Sequence, residues 1–483
     1  MRPLVTPAEM AEADRRTIAS GTPESVLMER AGRAVAWAVR SRCGGTYARH
    51  AIVVCGKGNN GGDGLVTARA LRAWGMRVDV FALESGIDRV RLSRALGRAD
   101  VVVDAMFGTG FHGALEGDAA WIAEAIAAAP VGVVAVDIPS GVDGLTGATD
   151  GPVVDADRTV TFAATKPGLV FQPGRSHAGT VTVADIGIAV APAAAGITEE
   201  SDVAAWLPPR QPSTHKWEVG GLMVVGGTTG MTGAPMFVSH AAMRAGAGIV
   251  WCGVPGSAAA AAGSGTEVIT VALPAAPDGS LDARAAGAVL RDLGRFGAIV
   301  VGPGLGGHEG VQSTVSQLVA DAPVPMVLDA DGLNALRGDL SPLRVRHTML
   351  AAPTVLTPHD GEYTRLVGEP PGVDRIEAAR RLATAADAVV LLKGAATVIA
   401  EPGPGGRTAV NTTGGPWLAT AGTGDVLSGI IGAFLARGTG AFEAASAGAW
   451  VHGRAADRAG HTGMIAGDLV AAIPAALPPM GEN

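Results

Sequence analysis

Cysteine is almost absent: Cys43, Cys55 and Cys252 are the three in 483 residues. They form no C-x-x-C pair and no disulfide framework, so a reducing compartment is expected. Aromatic residues make up 4% of the chain, too few for base-stacking platforms. Charged residues make up 17%, the net charge is −8, and no basic cluster stands out. Nothing here invites nucleic acid. No uncharged apolar run reaches the roughly 20 residues of a membrane span without glycines or a charge in it. The opening stretch MRPLVTPAEMAEADRR lacks the apolar core of an export signal, so a cytoplasmic protein with no membrane partner is expected. Both standard nucleotide fingerprints, GxGxxG and the P-loop with its terminal Lys-Ser/Thr, are also missing.

Apolar residues and glycine are plentiful, at 48% of the chain and 70 residues respectively. That composition implies folded domains, and the length implies two or three of them. Thr6, Pro7 and Glu9 mark a capped helix start. Continuously apolar runs then recur at 51–55, 78–83, 101–108, 131–141 and 159–164, with helical spacing between them. Such runs suit strands of a parallel sheet buried on both faces. Residues 188–212, rich in Pro, Ala and acidic side chains, interrupt the rhythm and suggest a domain boundary. A second series follows at 221–227, 248–256, 298–307, 324–336, 354–362 and 388–400. Two α/β domains are expected, over 1–205 and 206–483, with ligands at the carboxyl ends of the strands.

Residues 52–64 read IVVCGKGNNGGDG, a strand running into a glycine-rich loop. Glycines let backbone N–H groups approach a phosphate, and the helix expected from LVTARALRAWG adds its dipole. Asn59, Asn60 and Asp63 supply polar groups that backbone cannot. Asp104 ends another strand, ahead of GTGFHGA at 108–114, and Asp137 ends a third in DIPSGVDG, three residues before Ser140. A buried strand-end Asp needs a partner or a cation. Oxygens of Asn, Asp and Ser together suit a hard cation. Lys166 is read as an exposed cation able to pair with a phosphate.

In the second half, TAGTGDVLSGIIGAFLARG at 420–438 places Gly422 and Gly424 at the mouth of a helix. Free amides there can stabilise a transferring phosphoryl group, and Asp425 can take the proton of an attacking hydroxyl. KGAAT at 393–397 ends a strand with a cation, backbone donors and a hydroxyl, a set suited to a nucleotide. GPGLGG at 302–307 and TPHDGE at 357–362 are further strand-end loops. His359 reads as a substrate contact, because no second His or Cys stands at ligand spacing.

These segments carry two family resemblances. VTPAEMAEAD, LMERAG, CGKGNNGGDG, Asp104 with GTG, DIPSGVDG and TFAATKPG, in order over residues 1–185, closely resemble NAD(P)H-hydrate epimerases. The resemblance implies a Rossmann-like αβα domain. It implies that Asn59, Asn60, Gly61, Gly62, Asp63 and the stretch Gly108, Thr109, Gly110, Phe111, His112, Gly113, Ala114 hold the hydrated dinucleotide. It further implies potassium bound by Asn60, Asp104 and Ser140, and Asp137 as substrate contact and acid/base at C6. Residues 210–475 resemble ADP-dependent NAD(P)H-hydrate dehydratases, which implies a ribokinase-like α/β domain. Ala234, Gly304, His359 and Asp425 would then contact the hydrate. Lys393, Gly394, Ala395, Ala396, Thr397 and Gly424 would contact ADP, supplied with Mg2+. Where that family has glycine after a His-Lys pair, this chain has Trp217.

Together the resemblances imply a bifunctional, homo-oligomeric repair enzyme. It would interconvert the R and S hydrates of NADH and NADPH and dehydrate the S form, giving AMP and phosphate. The alternative is a small-molecule kinase fused to a binding module. Its product would be a phosphorylated substrate rather than restored dinucleotide and free phosphate.

Overall fold

A computed structural model describes residues 1–479 except 192, 210–214, 257 and 263–266. The chain divides into two compact units, Pro3–Ala195 and Gly196–Asn483, the latter joined by Met1–Arg2.

In the first unit six strands form one parallel sheet. The order is Arg77–Ala82, His50–Cys55, Val101–Ala105, Gly132–Val136, Arg158–Phe162, Thr180–Ala184. The central strands are buried along almost their whole length. That is why they read as unbroken apolar runs rather than alternating ones. Helices Pro7–Ala19 and Glu24–Arg42 lie in the sequence before the first of these strands. Thr6 caps the first helix through a reciprocal box with Glu9, and Pro7 occupies its first turn, as the sequence indicated.

The glycine-rich segment departs from expectation. Helix Asn59–Ala73 begins inside it, so Asn59 to Gly64 are helical and the loop is confined to residues 56–58. Of these glycines Gly58 alone has a positive φ, at 82°. The others are needed for closeness. A Cβ on Gly56 would lie 1.8 Å from the Met106 carbonyl oxygen, and one on Gly61 2.0 Å from the Gly56 carbonyl oxygen. One on Gly64 would meet Ala105 Cβ at 2.6 Å and Cys55 Sγ at 2.9 Å. The helix is thus set directly against the carboxyl ends of two strands, with its amino end fixed.

Within residues 221–411 the second unit's sheet runs in the order Ile269–Leu273, Ile249–Pro255, Gly221–Val225, Ala298–Val301, Met326–Leu328, Thr354–Leu356, Val389–Leu392, Thr397–Ala400, Thr408–Asn411. Neighbours are parallel as far as Val389–Leu392 and antiparallel beyond it. The apolar run at 388–400, read as one element, is therefore a hairpin, with Lys393 at its first bend. The stretch 188–212, read as a break in rhythm, contains the short strand Ala195–Ile197 and the helix Glu200–Trp206, which its own box of Glu199 and Asp202 caps. Residues 192 and 210–212 of that stretch lie outside the described set. Helix Thr423–Ala436 is buried over most of its length and packs on helix Gly233–Arg244. Gly429 admits that contact, since a Cβ there would meet the Val238 carbonyl oxygen at 2.2 Å. Trp217 packs against the start of Gly221–Val225 and edge-on to Phe296, at the end of that strand opposite its Gly226 turn. Among the described residues, no helix is long and apolar enough to cross a membrane.

Adding one methyl group at a closed backbone contact tests the packing role of the glycines. Gly56→Ala should lower stability by about 1–3 kcal/mol, the cost of overpacking. Thermal unfolding of the full chain, with hydrogen exchange locating the loss to Pro3–Ala195, measures it.

Candidate functional site

In the first unit, the strand ends meet at a cavity of about 580 Å³. Asn59, Asn60, Asp63, Gly108 to His112, Asp137 and Lys166 line it. Of the sequence-predicted set, Gly61, Gly62, Asp104, Gly113, Ala114 and Ser140 are not on its wall. Gly61 and Gly62 pack closely against their neighbours: a Cβ on Gly62 would meet the Met28 side chain at 2.6 Å. Asp14, Glu24, Met10, Met28 and Phe107 line the cavity and were not foreseen. VTPAEMAEAD and LMERAG, in the two helices that bring Asp14 and Glu24, carried the family resemblance, but no site residue was assigned there.

Asp137 sits at the end of Gly132–Val136 with φ of 64°. A left-handed aspartate costs of order 1–2 kcal/mol. The Asp137 amide donates to Val160 O at 2.8 Å, and the Ile138 amide donates to Val136 O at 2.8 Å. These bonds hold the turn that projects the carboxylate into the cavity. Lys166 is not the exposed phosphate partner expected. It is 1% exposed and donates to Asp137 Oδ1 at 2.7 Å, Thr161 Oγ1 at 2.8 Å and Phe162 O at 2.9 Å. Three ammonium protons have three acceptors, so its role is internal. Burial in an apolar shell requires such pairing.

Asp104 is fully buried. Its carboxylate accepts from Ser140 Oγ at 2.6 Å, the Ser140 amide at 2.8 Å and the Met106 amide at 3.2 Å. Burial raises its pKa, and these hydrogen bonds oppose the rise. Ser140 Oγ also accepts from the Phe107 amide at 3.0 Å. Gly108 brings its backbone against Asn60, whose Oδ1 would be 3.4 Å from a Cβ there. Asn60 Nδ2 is buried without a hydrogen-bond partner among the described residues. Asn60 thus lies against Gly108, and Asp104 and Ser140 accept from the Met106 and Phe107 amides just before it. Among the described residues, no cluster of three or more His, Cys, Asp or Glu side chains forms a metal site.

The second unit gathers its polar residues likewise at strand ends. Lys393 Nζ lies 3.0 Å from Asp329 Oδ1 and 3.5 Å from Glu362 Oε2. Ser428 Oγ donates to Asp329 Oδ2 at 2.6 Å. Burial pushes the Asp329 pKa up, but Lys393, Ser428 and Thr357 outweigh it and hold it below the usual range. Burial likewise pulls Lys393 down, and Asp329 with Glu362 more than reverse this. Asp425 lies in the first turn of Thr423–Ala436, after Gly422 with φ of 88°. Burial, reinforced by Asp329 and Asp331 and eased by Lys393, pushes its pKa up to about 7. His452 Nε2 contacts Thr423 O at 2.9 Å; burial pulls its pKa down to about 4.

Predicted residues here also converge. A Cβ on Gly424 would be 3.7 Å from Lys393 Nζ, and one on Gly304 would be 3.2 Å from Ala234 Cβ. His359 caps helix Asp360–Val367 with Nδ1 accepting from the Gly361 amide at 3.0 Å, its ring half-exposed. Gly394 and Ala395 lie in the hairpin bend after Lys393, followed by Ala396 and, at the start of the next strand, Thr397. Asp329, Glu362, Ser428 and His452 were missed. VLDADGLN and TPHDGE held the first two within strand-end runs, but the partner of each is distant in sequence.

A sequence model described as NAD(P)H-hydrate dehydratase matches residues 222–478, and one described as YjeF-related protein N-terminus matches 24–96 and 86–168. The bifunctional NAD(P)H-hydrate repair enzyme of Moorella thermoacetica is 41% identical, over 99% of this chain and 97% of its own. Its counterpart in Salinibacter ruber is 40% identical, over 98% and 95%. The ADP/ATP-dependent NAD(P)H-hydrate dehydratase of Bacillus subtilis, co-crystallised with ATP/Mg2+, is a solved structure with 30% identity and a TM-score of 0.50. That match covers 58% of this chain and 96% of the Bacillus chain.

Breaking a buried ion pair on one side leaves the other charge uncompensated. Lys166→Met should therefore destabilise Pro3–Ala195 by about 3 kcal/mol. Hydrogen exchange of peptides from that unit provides the measurement.

Proposed function

The chain belongs to the bifunctional NAD(P)H-hydrate repair enzymes, and on that premise we propose how its two units divide the work. The unit Pro3–Ala195 interconverts the R and S hydrates of NADH and NADPH. The unit Gly196–Asn483 dehydrates the S hydrate at the expense of ADP, with Mg2+, releasing NAD(P)H, AMP and phosphate. The observation that carries this reading is a pair of half-buried carboxylates, one in each unit: Asp137 just past the end of strand Gly132–Val136, and Asp425 in the first turn of helix Thr423–Ala436.

In the first unit Asp137 serves as acid/base at C6, where hydration has made a hemiaminal. Removing and returning the proton of the hydroxyl on such a carbon is the work of a positioned, partly desolvated carboxylate. Potassium would be held by Asn60, Asp104 and Ser140. The donor set fits: three of the roughly four lone-pair sites of the Asp104 carboxylate are used, leaving one. The unpartnered amide position of Asn60 becomes an acceptor if its nitrogen and oxygen are exchanged. Bound there, the ion would supply the counter-charge that the Asp104 carboxylate lacks.

In the second unit the C6 hydroxyl attacks the terminal phosphorus of the nucleotide while Asp425 accepts its proton. Amides at the start of Thr423–Ala436 face the transferring group. Lys393 to Thr397 and Gly424 would hold the nucleotide; Ala234, Gly304, His359 and Asp425 would hold the hydrate. Phosphate then leaves C6, pushed by the ring nitrogen's lone pair, and loss of a C5 proton restores the double bond. Phosphorylation converts hydroxide, a poor leaving group, into a good one. Hydration gives both hands at C6 and a shaped pocket takes one, so an epimerase and a dehydratase belong on one chain.

A raised pKa on a required base dictates the sign of the pH profile. The dehydration rate constant kcat/KM should climb as pH rises through about 7. Asp425→Asn should cost about 10²–10⁴-fold in recovery of reduced-nicotinamide absorbance and leave epimer exchange intact. Running the S hydrate with ADP and then ATP, with phosphate followed alongside absorbance, separates dehydratase from kinase. A stable phosphorylated product would identify a kinase. Removing potassium should slow exchange of the R hydrate and spare S-hydrate dehydration, read in the same assay.

A further inference from the structure

Asp137 cannot complete the epimerisation alone. Inverting C6 by opening the ring needs a proton taken from the C6 hydroxyl and another delivered to N1. Granting the epimerase reading above, we propose that Asp63 is the second acid/base group of that reaction, serving N1 while Asp137 serves the C6 hydroxyl. In the opening direction the hydroxyl proton passes to Asp137 and the C6–O bond becomes a carbonyl. The C6–N1 bond breaks with its electron pair going to N1, and N1 takes the proton of neutral Asp63. Rotation about C5–C6 presents the other face of the aldehyde. Closure reverses each transfer: N1 attacks C6, its proton returns to Asp63, and the new alkoxide takes the proton from Asp137. Nothing is consumed, and both carboxyl groups end as they began.

Asp63 suits this role by its surroundings. Its side chain lines the same cavity as Asp137, and the residue is 7% exposed. Among the described residues its carboxyl group accepts no hydrogen bond, whereas Asp104, fully buried, accepts three. The buried cation of the cavity cannot relieve it, because Lys166 has spent its three protons on Asp137, Thr161 and Phe162. Lys57, the other lysine on the wall, is exposed and lies toward Glu84. His112 is hydrogen-bonded to Asp143. The remaining charged groups facing the cavity, Asp14 and Glu24, are acidic. A carboxylate so placed is strongly disfavoured, and a carboxylic acid is not. Burial, with Asp137 and Asp14 adding to it, accordingly pushes the Asp63 pKa up to about 8. Position is fixed as well as protonation. The flanking Gly61, Gly62 and Gly64 pin the first turns of helix Asn59–Ala73 to the Gly56 carbonyl, Met28 and Ala105. One pocket thus holds an ion-paired carboxyl group and an unpaired one, two environments that divide the roles of base and acid.

The test uses the full chain without nucleotide, so that the second unit is idle, and follows R/S exchange by chromatography. Wild-type kcat/KM should fall as pH rises above about 8, where Asp63 loses its proton. Asp63→Asn should reduce kcat by about 10²–10⁴-fold, with KM within about threefold, and abolish the alkaline limb. Asp63→Glu should restore part of the rate and the limb. Hydrogen exchange of peptides from Pro3–Ala195 should match wild type in both variants. A wild-type profile with no alkaline limb overturns the proposal whatever the variants do. So does an Asp63→Asn enzyme that keeps the limb and raises KM alone, or an Asp14→Asn enzyme that loses the limb while Asp63→Asn keeps it. Absence of exchange in the wild type overturns the epimerase reading itself, and the proposal with it.

Discussion

Removing a carboxylate from water is the constraint around which both units are built. Each answers it the same way, with a single lysine in the loop that follows a strand. Lys166 meets Asp137, and Lys393 meets Asp329 with Glu362. In each case the pairing leaves a neighbouring aspartate, Asp63 or Asp425, inside the same low-dielectric space without a cation of its own. One carboxyl group is therefore ion-paired, and another, without a cation, is driven toward its neutral form. Neither condition is available to an aspartate on an open surface. The parallel sheets matter because their carboxyl ends collect side chains from strands far apart in sequence, while their covered faces exclude water.

Helix ends complete this electrostatic design. Asn59–Ala73 and Thr423–Ala436 both begin at the carboxyl edge of a sheet, and both follow a glycine with positive φ, Gly58 and Gly422. Their amides point toward space where negative charge has to be accommodated. A damaged dinucleotide brings such charge in its pyrophosphate, and a transferring phosphoryl group brings more. Anionic ligands and proton-handling carboxyl groups can share a pocket only if the carboxyl groups are paired or neutral, which is the arrangement present in each unit.

Much of this was legible in the chain. Apolar runs located the central strands because burial on both faces leaves no polar alternation to obscure them. Asp104, Asp137 and the NNGGD stretch pointed to one cavity, and the structure brings them to one sheet edge. Three things resisted. The helix start lay hidden in Asn59 to Gly64, since glycine is a poor helix former and its packing contacts are made with distant residues. The hairpin at Lys393 hid inside an apolar run, because both of its strands are buried. Lys166 looked exposed because nothing near it in sequence announces Asp137, 29 positions away. Local composition shows which segments are buried. It does not show which buried charge faces which.

The glycines at the start of helix Asn59–Ala73 and in the loop before it carry a lesson for reading tolerance to change. Gly56, Gly61 and Gly64 bear no chemistry, yet each occupies space that even a methyl group would contest. In a saturation scan these silent positions would score as severely as Asp137. Sensitivity at this motif is thus a measure of how tightly the mould is cast, and it cannot by itself distinguish the residues that shape the cavity from those that react within it.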